Sequence, residues 1–203
     1  MQRISTLTVL MASSTPKSKI STRDLTTFSL LGGIMFLSKV FMQWIPNVHL
    51  LGLFIAAFTL TYRVRALIPL YVFILLDGVS QGFSIWWIPN LYTWLPLWLM
   101  FMIVGKFNLP YKIRVPLYMV LSALHGLSYG TLFAPAHALF FGLSFKGMVA
   151  WIIYGLPFDV IHCISNFAAG TMIVPLTTLL KKLDRSYSSV THISSADTSA
   201  HSK

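Results

Sequence analysis

Long apolar runs separated by short polar connections fill the chain between residues 25 and 182. A helix needs about 20 mainly apolar residues to cross the hydrocarbon core of a bilayer, and most of these runs approach that length. The pattern predicts an all-α membrane protein with six transmembrane helices. The predicted spans are residues 25–45, 48–62, 66–82, 91–105, 115–134 and 157–180.

Three segments interrupt or flank this pattern. Residues 1–24 are polar and rich in Ser, Thr and Lys, which predicts a cytoplasmic N-terminal segment and not a secretory signal peptide. Residues 183–203 lack hydrophobic periodicity, which predicts a disordered cytoplasmic tail after a single membrane domain, residues 25–182. Residues 135–155 are apolar but contain several glycines, and we interpret them as a long loop with short helical or re-entrant pieces.

The positions of lysine and arginine test the number of spans, because cytoplasmic segments of membrane proteins collect positive charge. Six spans place thirteen of the fifteen basic residues on one side and leave Lys146 on the other, with Lys39 inside the first span. The thirteen are Arg3, Lys17, Lys19, Arg23, Arg63, Arg65, Lys106, Lys112, Arg114, Lys181, Lys182, Arg185 and Lys203. Five or seven spans would divide these charges between both sides. The pattern therefore predicts that the N- and C-termini are both cytoplasmic.

Composition agrees with a membrane protein. Hydrophobic residues make up 56% of the 203 residues, charged residues 10%, and the mean hydropathy is +0.73. The net charge of +10 does not indicate nucleic-acid binding, because the basic residues are dispersed between apolar runs and form no basic-aromatic signature. Cys163 is the only cysteine, which excludes an intrachain disulfide and a cysteine-rich metal site.

Polar residues gather near the predicted outer ends of the spans. Asp77 and Gln81 are four residues apart and share one helical face. The connection from residue 83 to 94 carries Trp87 and Asn90 among further aromatic residues and contains no charge. The last span opens with Asp159, His162 and Asn166, whose offsets of three and seven place them on one face.

Several of these residues have a simpler interpretation. The aromatic connection is either an interfacial belt of Trp and Tyr or a shaped loop. Lys39 either extends to the outer interface or pairs with Asp77 or Asp159. Asp159 lies in the first turn of the predicted last span, where a carboxylate can cap unpaired backbone N–H groups.

The sequence lacks the motifs of several active-site classes. No HExxH or paired-cysteine motif supplies a metal site, and no GxxxxGK[ST] motif supplies a nucleotide site. We therefore predict no cofactor, no metal and no enzymatic activity for this chain. An intramembrane enzyme using Asp159 and His162, and a solitary transporter that needs no ATP, remain as alternatives.

Two segments carry a resemblance to a known family. ALIPLYVFILLDGVSQGFSIWW at residues 66–87 and YGLPFDVIHCISNF at residues 154–167 resemble the substrate-binding S components of energy-coupling factor (ECF) vitamin transporters. The second segment is the more specific, because S components often open their last span with a Pro-Phe-Asp, His and Asn pattern. The resemblance covers about residues 26–182, and it implies an S-component-like bundle.

The resemblance also implies a function and partners. An S component captures a micronutrient at the outer face of a prokaryotic plasma membrane and works with a transmembrane T component and two ATPase subunits, which use the ATP. Outer loops would enclose the ligand. Small residues of the first span commonly face the T component in an Ala-xxx-Ala arrangement, and this chain departs from that pattern with Ser29 and Gly33.

Together these patterns predict one outward-facing substrate pocket. Its predicted residues are Asp77, Gln81, Trp87, Asn90, Asp159, His162 and Asn166, with Lys39 beside them. Aromatic faces and carboxylates favour an aromatic heterocycle, such as a vitamin or a base-like precursor, as the ligand. The identity of the vitamin stays open.

Overall fold

A computed structural model describes residues 20–200, with side chains described up to residue 186. All regular structure in this part of the chain is helical. The helices are α1 (Thr22–Met42), α2 (Leu51–Tyr62), a 3-10 turn (Arg63–Ala66), α3 (Leu67–Gln81), α4 (Asn90–Thr93), α5 (Leu95–Val104), α6 (Tyr111–Phe141), α7 (Phe145–Gly170) and α8 (Ile173–Ala200).

Four helical stretches within the described residues are long and apolar enough to cross a membrane. They are Thr22–Met42, Leu51–Gln81, Tyr111–Phe141 and Phe145–Gly170, and Asn90–Val104 adds a shorter apolar stretch. Large apolar side chains are exposed along the outside of the bundle, as Leu30, Leu37 and Phe41 are on α1. An exposed surface of this kind fits contact with lipid, and the prediction of an α-helical membrane protein is confirmed at this level.

Helix α2 forms the centre of the bundle. Nine of its 12 residues are buried, and it contacts α1, α5, α6, α7 and α8. Ala56 and Ala57 are fully buried, and their small side chains let neighbouring helices approach closely. The hydroxyl of Thr59 donates to the carbonyl of Ile55 at 2.6 Å, so this buried polar group is satisfied within its own helix.

The chain reverses direction between α2 and α3. Arg63 begins the 3-10 turn with φ at 57°, and its guanidinium donates to the carbonyl of Met102 at 2.6 Å. The start of α2 and the end of α3 line the same cavity, so the two helices run in opposite directions. The stretch Leu51–Gln81 is thus two helices joined by a tight turn.

Glycines bring α6 and α7 into close contact. A Cβ atom placed on Gly126 would lie 2.7 Å from the carbonyl oxygen of His162, and one on Gly170 would lie 2.7 Å from Cα of Met119. A Cβ atom on Gly130 would meet the side-chain carboxylate of Asp159. Gly126 and Gly130 are four residues apart, which is the spacing of small residues at tightly packed membrane helices.

The predicted loop at residues 135–155 is wrong. Helix α6 continues to Phe141, α7 begins at Phe145, and only the short connection between them is non-helical. Gly142 ends α6 in the left-handed conformation with φ at 65°, whereas the other two glycines of this region lie inside α7. Pro135 and Pro157 also lie inside helices, as membrane helices tolerate, so neither marks a helix end.

The predicted ends of the domain also differ from the structure. Helix α7 ends at Gly170 and α8 then covers residues 173–200, so the segment 183–200, predicted to be disordered, is helical. Of the predicted N-terminal segment, residues 1–19 lie outside the described residues, as residues 201–203 do at the other end. Ser21 and Asp24 form a reciprocal capping box that starts α1.

We predict that Gly126→Ala destabilises the bundle, because its methyl group meets the α7 backbone. Overpacking of this kind costs about 1–3 kcal/mol, measured as a lower midpoint of thermal unfolding in detergent. Gly155→Ala is the control, since nothing lies within 4 Å of a Cβ there and alanine favours the helix. Equal midpoints for the two variants would contradict the close α6–α7 contact.

Candidate functional site

A cavity of about 570 Å³ lies between the end of α1, the connection to α2, the end of α3 and the segment from residue 82 to 94. This volume is typical of sites for small molecules. We call it the aromatic cavity. Six of the eight predicted site residues line it: Lys39, Asp77, Gln81, Trp87, Asn90 and His162.

The charged part of the lining is an ion pair between α1 and α3. Nζ of Lys39 lies 2.6 Å from Oδ1 of Asp77, and the amide of Gln81 donates to the same oxygen at 2.5 Å. The Asp77 side chain is only 7% exposed and that of Lys39 32%. Of the alternatives for Lys39, the structure therefore supports pairing with Asp77, and the pair leaves this wall without net charge.

The aromatic connection is held in a defined shape. The indole N–H of Trp87 donates to the carbonyl of Ile74 at 2.7 Å, and the hydroxyl of Tyr129 donates to Oδ1 of Asn90 at 3.1 Å. A Cβ atom on Gly78 would lie 2.7 Å from Nε1 of Trp87, so the glycine lets the connection lie directly on α3. These contacts favour a shaped loop over a simple interfacial belt.

His49, Trp94 and Tyr129 are among the lining residues that were not predicted as site residues. The ring centroids of His49 and Tyr129 each lie 5.1 Å from that of His162, and the ring of Trp94 lies 5.3 Å from that of Tyr129. His49 lies at the start of the second predicted span and Trp94 at the end of the predicted aromatic connection, so proximity gave a weak signal for them. Tyr129 lies well inside an apolar span, where the sequence offers no such signal.

Three ring nitrogens in this lining are buried without a hydrogen-bond partner among the described residues. They are Nδ1 of His49, Nε1 of Trp94 and Nδ1 of His162. Nδ1 of His162 is 4.0 Å from Oδ1 of Asp159, which is too long for a hydrogen bond. Because an unpaired buried polar group costs free energy, each of these nitrogens would gain from a hydrogen bond to a ligand that reached it.

Asp159 and Asn166 do not line the aromatic cavity. They share one buried face of α7 with His162, as predicted, but they meet the glycines of neighbouring helices. Oδ1 of Asp159 accepts from the backbone N–H of Gly130 at 2.9 Å, and Asn166 lies against Gly52 and Gly126. Asp159 is in the middle of α7, so the interpretation that it caps the start of a helix is wrong.

The predicted partner surface on α1 faces outward. Ser29 is exposed, and nothing lies within 4 Å of a Cβ placed on Gly33. Another helix can approach α1 closely at this position. The described residues contain no group of three or more His, Cys, Asp or Glu side chains placed to hold a metal ion.

We predict that Lys39→Met destabilises the protein by about 2 kcal/mol, because it leaves the buried carboxylate of Asp77 without its cation. The expected cost is below that of a fully buried pair, since Lys39 is partly exposed. The double variant Lys39→Met/Asp77→Asn should unfold at a higher temperature than Lys39→Met alone. Additive losses from the two substitutions, measured by thermal unfolding, would show that the pair is not coupled.

No protein-family model matches the chain, and neither a curated protein nor a solved structure matches it.

Proposed function

We propose that this protein is the membrane-embedded substrate-binding subunit of an ECF-type transporter, which captures a vitamin or a related aromatic heterocycle for ATP-driven uptake. The observation that carries the proposal is the aromatic cavity with its three unpaired ring nitrogens. A cavity of about 570 Å³ suits a ligand of that size. The resemblance of residues 66–87 and 154–167 to S components supplies the choice of family.

The proposal includes six membrane crossings with both termini in the cytoplasm. The α1, α2, α3, α5 and α6 helices each make one crossing, and α7 continued by the start of α8 makes the sixth. Ion pairs support a common end for the start of α1, the 3-10 turn and α8: Arg65 with Asp24 at 3.3 Å and Arg23 with Asp184 at 3.1 Å. The cations at this end favour the cytoplasmic side, and the aromatic cavity then opens outward.

The lining of the aromatic cavity favours an uncharged ring as the ligand. Lys39 and Asp77 neutralise each other, so the wall offers no unpaired charge to a cation or an anion. Trp86, Trp87 and Trp94 provide aromatic faces for stacking. The unpaired nitrogens would bind ring nitrogens or carbonyl groups at the ligand's edge.

Partners complete the proposed function. The chain has no nucleotide-binding motif, so two ATPase subunits and a transmembrane T component would supply the energy and the pathway. The open surface at Ser29 and Gly33 is the proposed contact with the T component. The proposed site of action is the prokaryotic plasma membrane.

We predict that Trp94→Phe lowers ligand retention about 3- to 10-fold, because it removes one N–H that only the ligand satisfies. Retention is measured by mass spectrometry of small molecules released from gently purified protein. Trp98→Phe is the matched control, because it makes the same substitution at a residue that does not line the cavity. The indole N–H of Trp98 donates to the carbonyl of Arg63. Equal retention by the two variants would contradict a ligand site at Trp94.

A second measurement separates a binding subunit from the alternatives. The purified chain should release its ligand chemically unchanged, and liposomes that contain the chain alone should bind the ligand without accumulating it. Membrane vesicles from the source cells should lose uptake when ATP is depleted. Turnover by the purified chain would indicate an intramembrane enzyme, and accumulation without partners would indicate a solitary transporter.

A further inference from the structure

A second cavity lies at the opposite end of the bundle from the aromatic cavity. It has a volume of about 740 Å³ and is bounded by the α5–α6 connection, α6 and α8. Five cationic side chains line it: Lys106, Arg114, Lys181, Lys182 and Arg185. We call it the cationic cavity, because its lining includes no carboxylate.

Two carboxylates at this end of the bundle pair with cations outside the cavity lining. Asp184 bonds to Arg23 at 3.1 Å, and Asp24 bonds to Arg65 at 3.3 Å. None of these four residues lines the cationic cavity. Among the described side chains, the cavity is therefore lined by cations without a carboxylate beside them.

Two of these cations, Arg114 and Lys181, repel each other. Nε of Arg114 is buried and has no hydrogen-bond partner among the described residues. Burial, and then repulsion from Arg114 and Arg185, lower the pKa of Lys181. An anion in the cavity would relieve the repulsion between the cations.

We propose that the cationic cavity binds a phosphate group. A phosphate presents several acceptor oxygens and up to two negative charges, which fits five cationic side chains in one lining better than one carboxylate does. Asn108 and Tyr118 add neutral polar side chains to the lining. The phosphate belongs either to the headgroup of an anionic phospholipid or to a small phosphate compound, and the same chemistry serves both.

Features around the cavity bear on these two sources. Phe107 lines it and is 61% exposed. Apolar surface next to cations is the arrangement that basic sites for lipid headgroups show, with acyl chains against the apolar part. The experiment therefore has one arm for each source.

The decisive variant is Arg114→Gln/Lys181→Gln, which removes two lining charges. Its control is Lys112→Gln/Lys146→Gln, which removes two charges from exposed positions outside the cavity. In the lipid arm, native mass spectrometry counts phosphatidylglycerol and phosphatidylcholine adducts on protein released from nanodiscs that hold both lipids. In the free-ligand arm, calorimetry measures binding of inorganic phosphate to protein in neutral detergent.

We expect the lining variant to lose about tenfold or more of the binding in one arm, while the control variant binds as the unmodified protein does. Loss in the lipid arm identifies a headgroup as the source, and loss in the phosphate arm identifies a small compound. Equal binding by lining and control variants in both arms would overturn the proposal.

The unmodified protein provides a test that does not depend on variant folding. It should carry more phosphatidylglycerol than phosphatidylcholine from the mixed nanodiscs, or bind inorganic phosphate in neutral detergent. Absence of both would overturn the proposal. The aromatic cavity is separate, so small molecules retained there should be unaffected in Arg114→Gln/Lys181→Gln.

Discussion

The carboxylate of Asp77 lies within a helix whose other residues suit a membrane, and its ion pair with Lys39 makes that position tolerable. A buried carboxylate without a partner would be strongly destabilising. The pair joins α1 to α3 and, with Gln81, forms one polar wall of the aromatic cavity. The connection after α3 then closes over this wall, because Gly78 leaves room for Trp87. One electrostatic requirement thus links the packing of two helices to the shape of the cavity.

Apolar patterning was enough to predict the helices but not where they end. Glycine and proline inside an apolar run carry the same sequence signal whether the chain turns there or continues as a helix. Gly142 takes the left-handed conformation and ends α6, whereas Gly155 and Pro157 lie inside α7. The difference depends on packing between neighbouring helices, which satisfies or replaces backbone hydrogen bonds in ways that the local sequence does not specify.

The polar face of α7 shows the same limit at the level of the site. Spacing correctly placed Asp159, His162 and Asn166 on one buried face. Their contacts depend on the neighbouring segments. Asp159 lies against Gly130 and Asn166 against Gly126, both on α6, while the ring of His162 contacts those of Tyr129 and His49. Sequence periodicity defines a face but not the surface of the opposing helix. Tyr129, deep in an apolar span, was missed for the same reason.

Charge divides the two ends of the bundle into different chemical environments. The aromatic cavity contains a cation and an anion that neutralise each other, so shape, stacking and hydrogen bonds remain to select what enters it. The cationic cavity has five cationic side chains and no carboxylate in its lining, so electrostatics dominates there. The apolar helices between them keep these environments apart. The two cavities share no lining residue, so the proposed neutral ring and the proposed anionic group would not compete for the same side chains.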